Sequence, residues 1–271
     1  MSEKSGLWSE KTHTLLASKL ERIKSRNGVL QKMMKAVPEE TRLSMLDYDL
    51  CRNALSSLGV EDIEITPEEG ASQYHDGLAP SLPRLARKAL EGHFHGDILA
   101  RLQLSENTEL NVEHIRSLHA MVTGRENPAI AGRFRTGMVQ VGSSQRVFCG
   151  PSDVPKHMEA YVKRMNAYLP NTVETALFSH MGLVYIHPFA DGNGRTARLL
   201  QNAVLAREGY PPIIIPENHR IQYRKHMEAA FFGSPEGLYS FLLDRLEVAI
   251  EEKIKLLEPR NRETADDLFG R

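Results

Sequence analysis

Cysteine is nearly absent from this chain: Cys51 and Cys149 are the only two among 271 residues. Two cysteines so far apart exclude a disulfide framework and suit a reducing compartment. Long apolar runs are missing too, and nothing approaches the roughly 20 residues that a bilayer-spanning helix needs. The opening MSEKSGLWSEKTH is charged and lacks the apolar stretch of a secretory leader. The expectation is a cytoplasmic protein without a membrane partner. Charge of one sign is lacking as well. Lys and Arg number 34 against 35 Asp and Glu, so bulk charge offers no footing for nucleic acid. No GxxxxGK[ST] occurs, which excludes a P-loop nucleotide hydrolase.

What the chain has instead is helical periodicity. Apolar residues recur at helical spacing through Leu16, Leu20 and Ile23, through Leu43, Leu46, Leu50 and Ala54, and along 83–103, 112–123, 154–168 and 173–186. A last long helix shows Leu238, Leu242, Leu246, Ile250, Ile254 and Leu257 near one face. One stretch breaks the rhythm. TGMVQVGSSQRVFCGP, residues 136–151, alternates around Gly142-Ser143-Ser144 and reads as a short β-hairpin. A lone hairpin is marginal in water, so it must lie on the helical body. PPIIIP, 211–216, reads as a buried connector. The expected fold is all-α, mainly helical, with a small β-hairpin flap. Its parts would be an N-terminal helical segment (1–42), a helix region (43–66) and a core with the C-terminal helix (67–271). The Lys and Arg of the first 35 positions read as a solvated face, and His93 and His95 as a helix-surface pair with no metal-ligand set around them.

HPFADGNGRTAR, residues 187–198, carries the chemistry. A helix runs to Ile186 and stops where His187 precedes a proline. After a tight loop, a helix of good formers restarts at RTARLLQNAVLARE. Gly192, Asn193 and Gly194 thus reach a helix N-terminus, where amides are unpaired and the macrodipole is positive. Arg195 and Arg198, three apart, lie on one face of the first turn. Two cations there are unfavourable by about 0.3–1 kcal/mol each, and an anion at the helix start reverses that cost. Asp191 adds a carboxylate for Mg²⁺ shared with phosphate oxygens, and His187 a side chain able to accept a proton at neutral pH. The same residues satisfy GxGxxA, with Glu217 in the place of a ribose acid. However, HPFAD separates the apolar run from the first glycine and no succession of buried strands surrounds it, so a dinucleotide fold is rejected.

At these positions the chain resembles the Fic family, whose signature is HxFx[DE]GNGRxxR: His187, Phe189, Asp191, Gly192, Asn193, Gly194, Arg195 and Arg198 match each defined place. His180, the AGRFRTG approach at 131–137 and ENHRIQYRKHMEAA at 217–230 extend the likeness over about residues 45–250. The resemblance implies an all-α core and transfer of AMP from ATP to a Ser, Thr or Tyr hydroxyl of a protein. It implies His187 as general base, Asp191 as Mg²⁺ ligand, and Gly192, Asn193 and Gly194 as a phosphate cradle. Arg195 would take the β-phosphate and Arg198 the γ-phosphate, with Phe189 anchoring the loop. The 136–151 hairpin would dock the target protein, Val141, Gly142, Ser143 and Ser144 would lie near the nucleotide, and Tyr223 would flank adenine. GNGR is similar to the AMP-transferring branch, while phosphocholine transfer stays open.

Ser57-Leu-Gly-Val-Glu61-Asp62 is similar to the family's inhibitory [ST]xxxE[GN], whose glutamate pairs with the second arginine. Asp62 departs from the Gly or Asn of that pattern, and Gly59 is expected to interrupt the helix. The reading is a protein adenylyltransferase held off by Glu61 and Ser57. Alternatives are removal of AMP by the same site, a nucleotide-binding regulatory module, and a toxin restrained by a separate antitoxin. Self-modification and a homodimer stay open.

Overall fold

Caps and turn residues set where the helices begin and end. The structure, a computed structural model, describes residues 9–77, 79–104, 108–142, 144–169 and 172–258. Helix α1 (Glu10–Lys35) opens on Ser9, whose hydroxyl accepts from the Thr12 amide. Pro38 precedes α2 (Glu39–Val60). A Thr66/Glu69 capping box starts α3 (Pro67–Asp76), which ends on Gly77 at φ +66°. Then follow α4 (Arg84–Gln103), α5 (Val112–Thr123), α6 (Val154–Tyr168), α7 (Thr172–Ile186), α8 (Asn193–Ala206), α9 (Arg220–Phe231) and α10 (Glu236–Leu257).

Helix α7 is largely apolar and is buried over most of its circumference, Tyr185 being its exposed residue. Such a helix belongs at the centre of a core. The tight 187–192 loop folds α8 back onto it, and Leu183, Phe189, Ala197 and Leu200 are enclosed between the layers.

Helix α1 lies along α10, its Leu16, Leu20 and Ile23 inside the core. Its basic residues lie on a largely exposed face, as composition suggested, and three of them also reach across to α10. Lys19 pairs with Asp244 at 2.6 Å, and Arg22 and Arg26 pair with Glu247 and Glu251. The constant offset of 225 shows two helices running in the same direction. Pairs this exposed add little, so the apolar stripe does most of the holding.

The 136–150 segment forms no ladder among its described residues. A turn is closed there by the Ser144 amide on the Val141 carbonyl at 2.9 Å, and the described residues of the arms are otherwise irregular. The helical body satisfies them instead. Arg135 donates to the carbonyls of Gly137 and Cys149, and Arg146 to that of Phe231. The described residues hold one isolated antiparallel bridge, Phe134 with Phe189. PPIIIP is an irregular buried connector: the Ile213 amide donates to Asn202 Oδ1 at 2.9 Å and the Ile215 amide to Ser56 Oγ at 2.8 Å. Its backbone is satisfied by side chains rather than by a sheet. No helix among the described residues is long and apolar enough to cross a membrane.

Candidate active site

His187 caps the end of α7 with a positive φ of +53°. Its amide still makes the helical bond to the Leu183 carbonyl at 2.9 Å, so the left-handed turn happens at the last moment and lifts the ring away from the helix. Nδ1 lies 3.2 Å from the Val184 carbonyl. A carbonyl can only accept, so Nδ1 carries the proton and Nε2 keeps its lone pair. Burial pushes the ring's pKa down to about 4. The imidazole is therefore neutral at pH 7, with a basic nitrogen free. Arg135, buried at 4% exposure, donates from Nε to the His187 carbonyl at 2.8 Å while its other nitrogens hold the two arms of 136–150.

The loop that follows is braced from inside. Phe189 is fully buried and stacks on His119 with ring centroids 3.7 Å apart and planes 6° apart. His119 Nδ1 accepts from the Gly132 amide at 3.0 Å, which leaves Nε2 as the donor to the Asp191 carbonyl at 2.9 Å. Both ends of the Asn193 side chain are spent on Phe189: Oδ1 accepts from its amide and Nδ2 donates to its carbonyl, each at 2.9 Å. In this conformation Asn193 ties the loop rather than presenting its amide to a ligand.

Both glycines of the motif leave room that a side chain would take. Gly192 sits at φ +75°, and a Cβ there would lie 2.5 Å from Thr123 Cγ2. A Cβ on Gly194 would stand 2.7 Å from Glu61 Oε1 and 3.0 Å from Arg198 Nη1. The bare face of Gly194 at the start of α8 therefore already holds a carboxylate, in the place where a helix N-terminus receives an anion.

Helix α2 delivers that carboxylate. Arg198 is 5% exposed. Its Nε donates to Ser57 Oγ at 2.9 Å, and its Nη2 to the Ser57 carbonyl at 2.9 Å and Glu61 Oε1 at 2.6 Å. Burial works against the guanidinium charge, but Glu61 and the Tyr223 hydroxyl raise its pKa above the ordinary value.

Gly59 does not interrupt α2, which runs through to Val60. The missing side chain makes room for Arg220, whose Nη2 lies 2.0 Å from where a Cβ would stand. The helix then closes in a Schellman turn: the Asp62 amide bonds the Gly59 carbonyl and the Ile63 amide the Leu58 carbonyl, both at 3.1 Å. Asp62 occupies the left-handed position of that turn at φ +60°. This geometry is the physical reason for a Gly or Asn after the glutamate, and Asp fills it here while accepting from Arg224 at 2.9 Å.

The remaining residues singled out above fall around this centre. Arg195, 5% exposed, pairs with Glu126, and its Nη2 lies 3.5 Å from Asp191 Oδ2. Asp191 points outward, its side chain 73% exposed. Ser144 donates to Glu228 at 2.9 Å, half-buried Val141 packs on the core, Gly142 turns at φ +50°, and Ser143 lies outside the described residues. Tyr223 is 4% exposed with its hydroxyl 2.8 Å from His180 Nε2, so neither face of its ring is open to a base. Its place is behind Arg198. His93 is likewise no surface residue: it is fully buried, and burial beside Arg198 and Arg195 drives its pKa down to about 3. No cluster of three metal-ligating side chains occurs among the described residues.

Sequence reasoning passed over His119, Glu126 and Arg135. AGRFRTG contains Arg135 but says nothing of its partners, and His119 lies 72 residues from the carbonyl that it supports.

Comparison with known proteins agrees with this geometry. Protein adenylyltransferase Fic of Aedes aegypti is 36% identical over 151 residues, which are 55% of this chain and 30% of that protein. The chain thus spans less than a third of that curated relative's length. Fic-1 from C. elegans superposes with a TM-score of 0.81 at 23% identity, over 91% of this chain and 75% of that one. A Fic domain containing signaling protein from Bacteroides thetaiotaomicron superposes at 0.71 and 21% identity, over 88% of this chain and 98% of the other. The family model for Fic/DOC matches residues 109–205, the span that holds His119, Arg135, His187 and the whole start of α8. Over those residues the chain is similar to the Fic/DOC family.

Proposed function

We propose that this chain transfers AMP from ATP to a hydroxyl group of a protein, and that Glu61 restrains it. The observation that carries the reading is the pair formed by a neutral His187, its Nε2 left basic by the Nδ1 bond to Val184, and the anion-holding start of α8 beside it. His187 would take the proton of the attacking hydroxyl as its oxygen bonds the α-phosphorus and pyrophosphate leaves. The amides at Gly192–Gly194 would stabilise the phosphate charge, that of Gly192 by exchanging the Asp191 Oδ1 to which it donates here at 2.6 Å, while Arg195 would take the β-phosphate and Arg198 the γ-phosphate. The exposed single carboxylate of Asp191, with no ligand cluster around it among the described residues, fits Mg²⁺, which takes one or two carboxylates plus phosphates. When bound, the ion would neutralise phosphate charge and orient the leaving group.

Glu61 fills the same place as that charge. Its carboxylate occupies both Arg198 and the bare face of Gly194, so a γ-phosphate and Glu61 compete for one site. The region 43–66 is thus read as a brake on the 67–271 core. Residues 136–151 would serve as the docking flap, gaining by strand addition on a target the ladder that they lack alone. A second reading, removal of AMP, draws on the 41% exposure of the Glu61 side chain, which leaves it able to hold a water.

The test is intact-protein mass after incubation with ATP and Mg²⁺. Glu61→Gly should gain AMP while wild type gains little, and Glu61→Gly/His187→Ala should gain none. Equal labelling of wild type and Glu61→Gly would remove the brake. No adduct in any variant, with ATP still bound, would point to a binding module or another donor.

A further inference from the structure

Between α2 and α8 stands a polar ladder whose rungs climb one helix as they descend the other. Asn53 meets Asn202, Ser57 meets Arg198, and Glu61 meets Gly194. Four-residue steps on both helices keep all three rungs on facing sides. The last two belong to the site described above. The first lies about one helical turn beyond them and is closed on its own partners. Asn53 Oδ1 accepts from Asn202 Nδ2 at 2.8 Å, and Asn53 Nδ2 donates to Asp97 Oδ2 of α4. Asn202 Oδ1 accepts from the Ile213 amide at 2.9 Å, and Asp97 Oδ1 accepts from Arg101 at 2.5 Å. Asn53, Asp97 and Asn202 are each 2% exposed. A buried network matched in this way exists in one register only, because sliding α2 along α8 would strand its donors and acceptors away from water. Buried asparagines set the register of coiled coils by the same means.

We propose that Asn53, acting through Asn202 and Asp97, is a positioning residue that holds α2 in the one register where Glu61 reaches Gly194 and Arg198. The proposal rests on reading Glu61 as the brake. A slip of one helical turn, about 5.4 Å, carries the carboxylate past both partners. The far end of α2 has weaker support. Arg224 grips Val60 and Asp62 there, with the Arg224 and Asp62 side chains 49% and 74% exposed, and such a pair adds little. Ser56 on Ile215 and Ser57 on Arg198 hold the middle of α2, and Asn53 anchors the same register from the side away from Glu61.

The experiment compares the full chain as wild type, Asn53→Ala, Glu61→Gly, Asn53→Ala/Glu61→Gly and Asn53→Asp/Asp97→Asn. The last reverses donor and acceptor in one bond of the network and keeps the rung. AMP incorporation is followed by intact mass, and ATP and ADP affinities by calorimetry. Asn53→Ala should label several-fold faster than wild type, Asn53→Ala/Glu61→Gly no faster than Glu61→Gly, and the reversed pair at the wild-type rate. Asn53→Ala should also bind ATP more tightly while ADP affinity holds, whereas a merely loosened fold would weaken both. If Asn53→Ala does not fold, Asn202→Ala carries the same test, since it leaves Asn53 on Asp97. Labelling at the wild-type rate by Asn53→Ala while Glu61→Gly labels, or gains that multiply in the double variant, would overturn the positioning role and leave the brake standing. No gain in Glu61→Gly would remove the brake, and the positioning role with it.

Discussion

Glu61 Oε1 lies 2.6 Å from Arg198 Nη2 and 2.7 Å from the point where a side chain on Gly194 would begin. One carboxylate oxygen thus satisfies a buried guanidinium and fills a helix-start cradle together. Neither contact is interchangeable with a surface salt bridge, because Arg198 is enclosed and its charge would otherwise be left without a carboxylate partner.

Gly194→Ala separates the two occupants of that cradle from their common site. The added methyl would expel Glu61 and, on the proposed reading, would also fill the space of a phosphate. Gly194→Ala and Gly194→Ala/Glu61→Gly should therefore both bind ATP at least about tenfold more weakly than Glu61→Gly, a loss of ~1.4 kcal/mol. Calorimetry decides. Unchanged affinity in Gly194→Ala/Glu61→Gly would place the phosphates elsewhere.

The Schellman turn at Asp62 makes a separate prediction about stability. Asp62→Gly removes left-handed strain and also the exposed pair with Arg224, so its effect should stay within about 1 kcal/mol. Asp62→Val places a β-branched residue at φ +60° and should cost about 1–3 kcal/mol. Thermal melts of the two variants should differ by several degrees. Equal melting temperatures would mean that the turn does not tolerate glycine better than valine.

Arg135 ties three carbonyls with one planar fork, and two of them bound the 136–150 segment. Arg135→Met should destabilise the fold by about 3 kcal/mol, the scale of losing charge-assisted bonds in a buried place. Arg135→Lys should recover little of it, because an ammonium cannot reproduce the fork. A chemical-denaturation midpoint equal to wild type in Arg135→Lys would refute the geometric argument.

Acid should unfold this protein through its histidines. Burial holds His93 and His180 near 3 and His119 and His187 near 4, all below the ordinary 6.5. Between those values and 6.5 the unfolded chain binds protons that the native state refuses, so stability rises with pH across that window. It is fully present above 6.5 and is lost as pH falls toward 4. Melting temperatures from pH 7 to 4.5 should fall steadily. The acid limb of kcat/KM for Glu61→Gly should lie well below 6.5 for the same reason. A limb at 6.5 would show that His187 is not held neutral as the structure has it.

Periodicity and end signals sufficed for most of the helices, because an amphipathic stripe and a cap are local properties. The run of α7 and the loop after it could be read from Ile186, a pre-proline His187 and two glycines, since conformational limits act within a few residues. The β-alternation of 136–151 produced no ladder among the described residues for the converse reason: two arms that alternate still need a partner, and here Arg135 takes the Gly137 and Cys149 carbonyls while Arg146 ties the segment to the Phe231 carbonyl of α9. Gly59 looked like a helix breaker because propensity sees the missing side chain and not Arg220 lying in its place. The sequence by itself determined a helix start able to receive an anion, for helix dipole, glycine and arginine spacing are contained in twelve residues. Only the tertiary structure decided that Glu61 fills the site, that Nδ1 of His187 is the protonated nitrogen, and that Tyr223 stands behind Arg198. Each of those depends on groups brought together from distant parts of the chain, and distance in space is what no local pattern encodes.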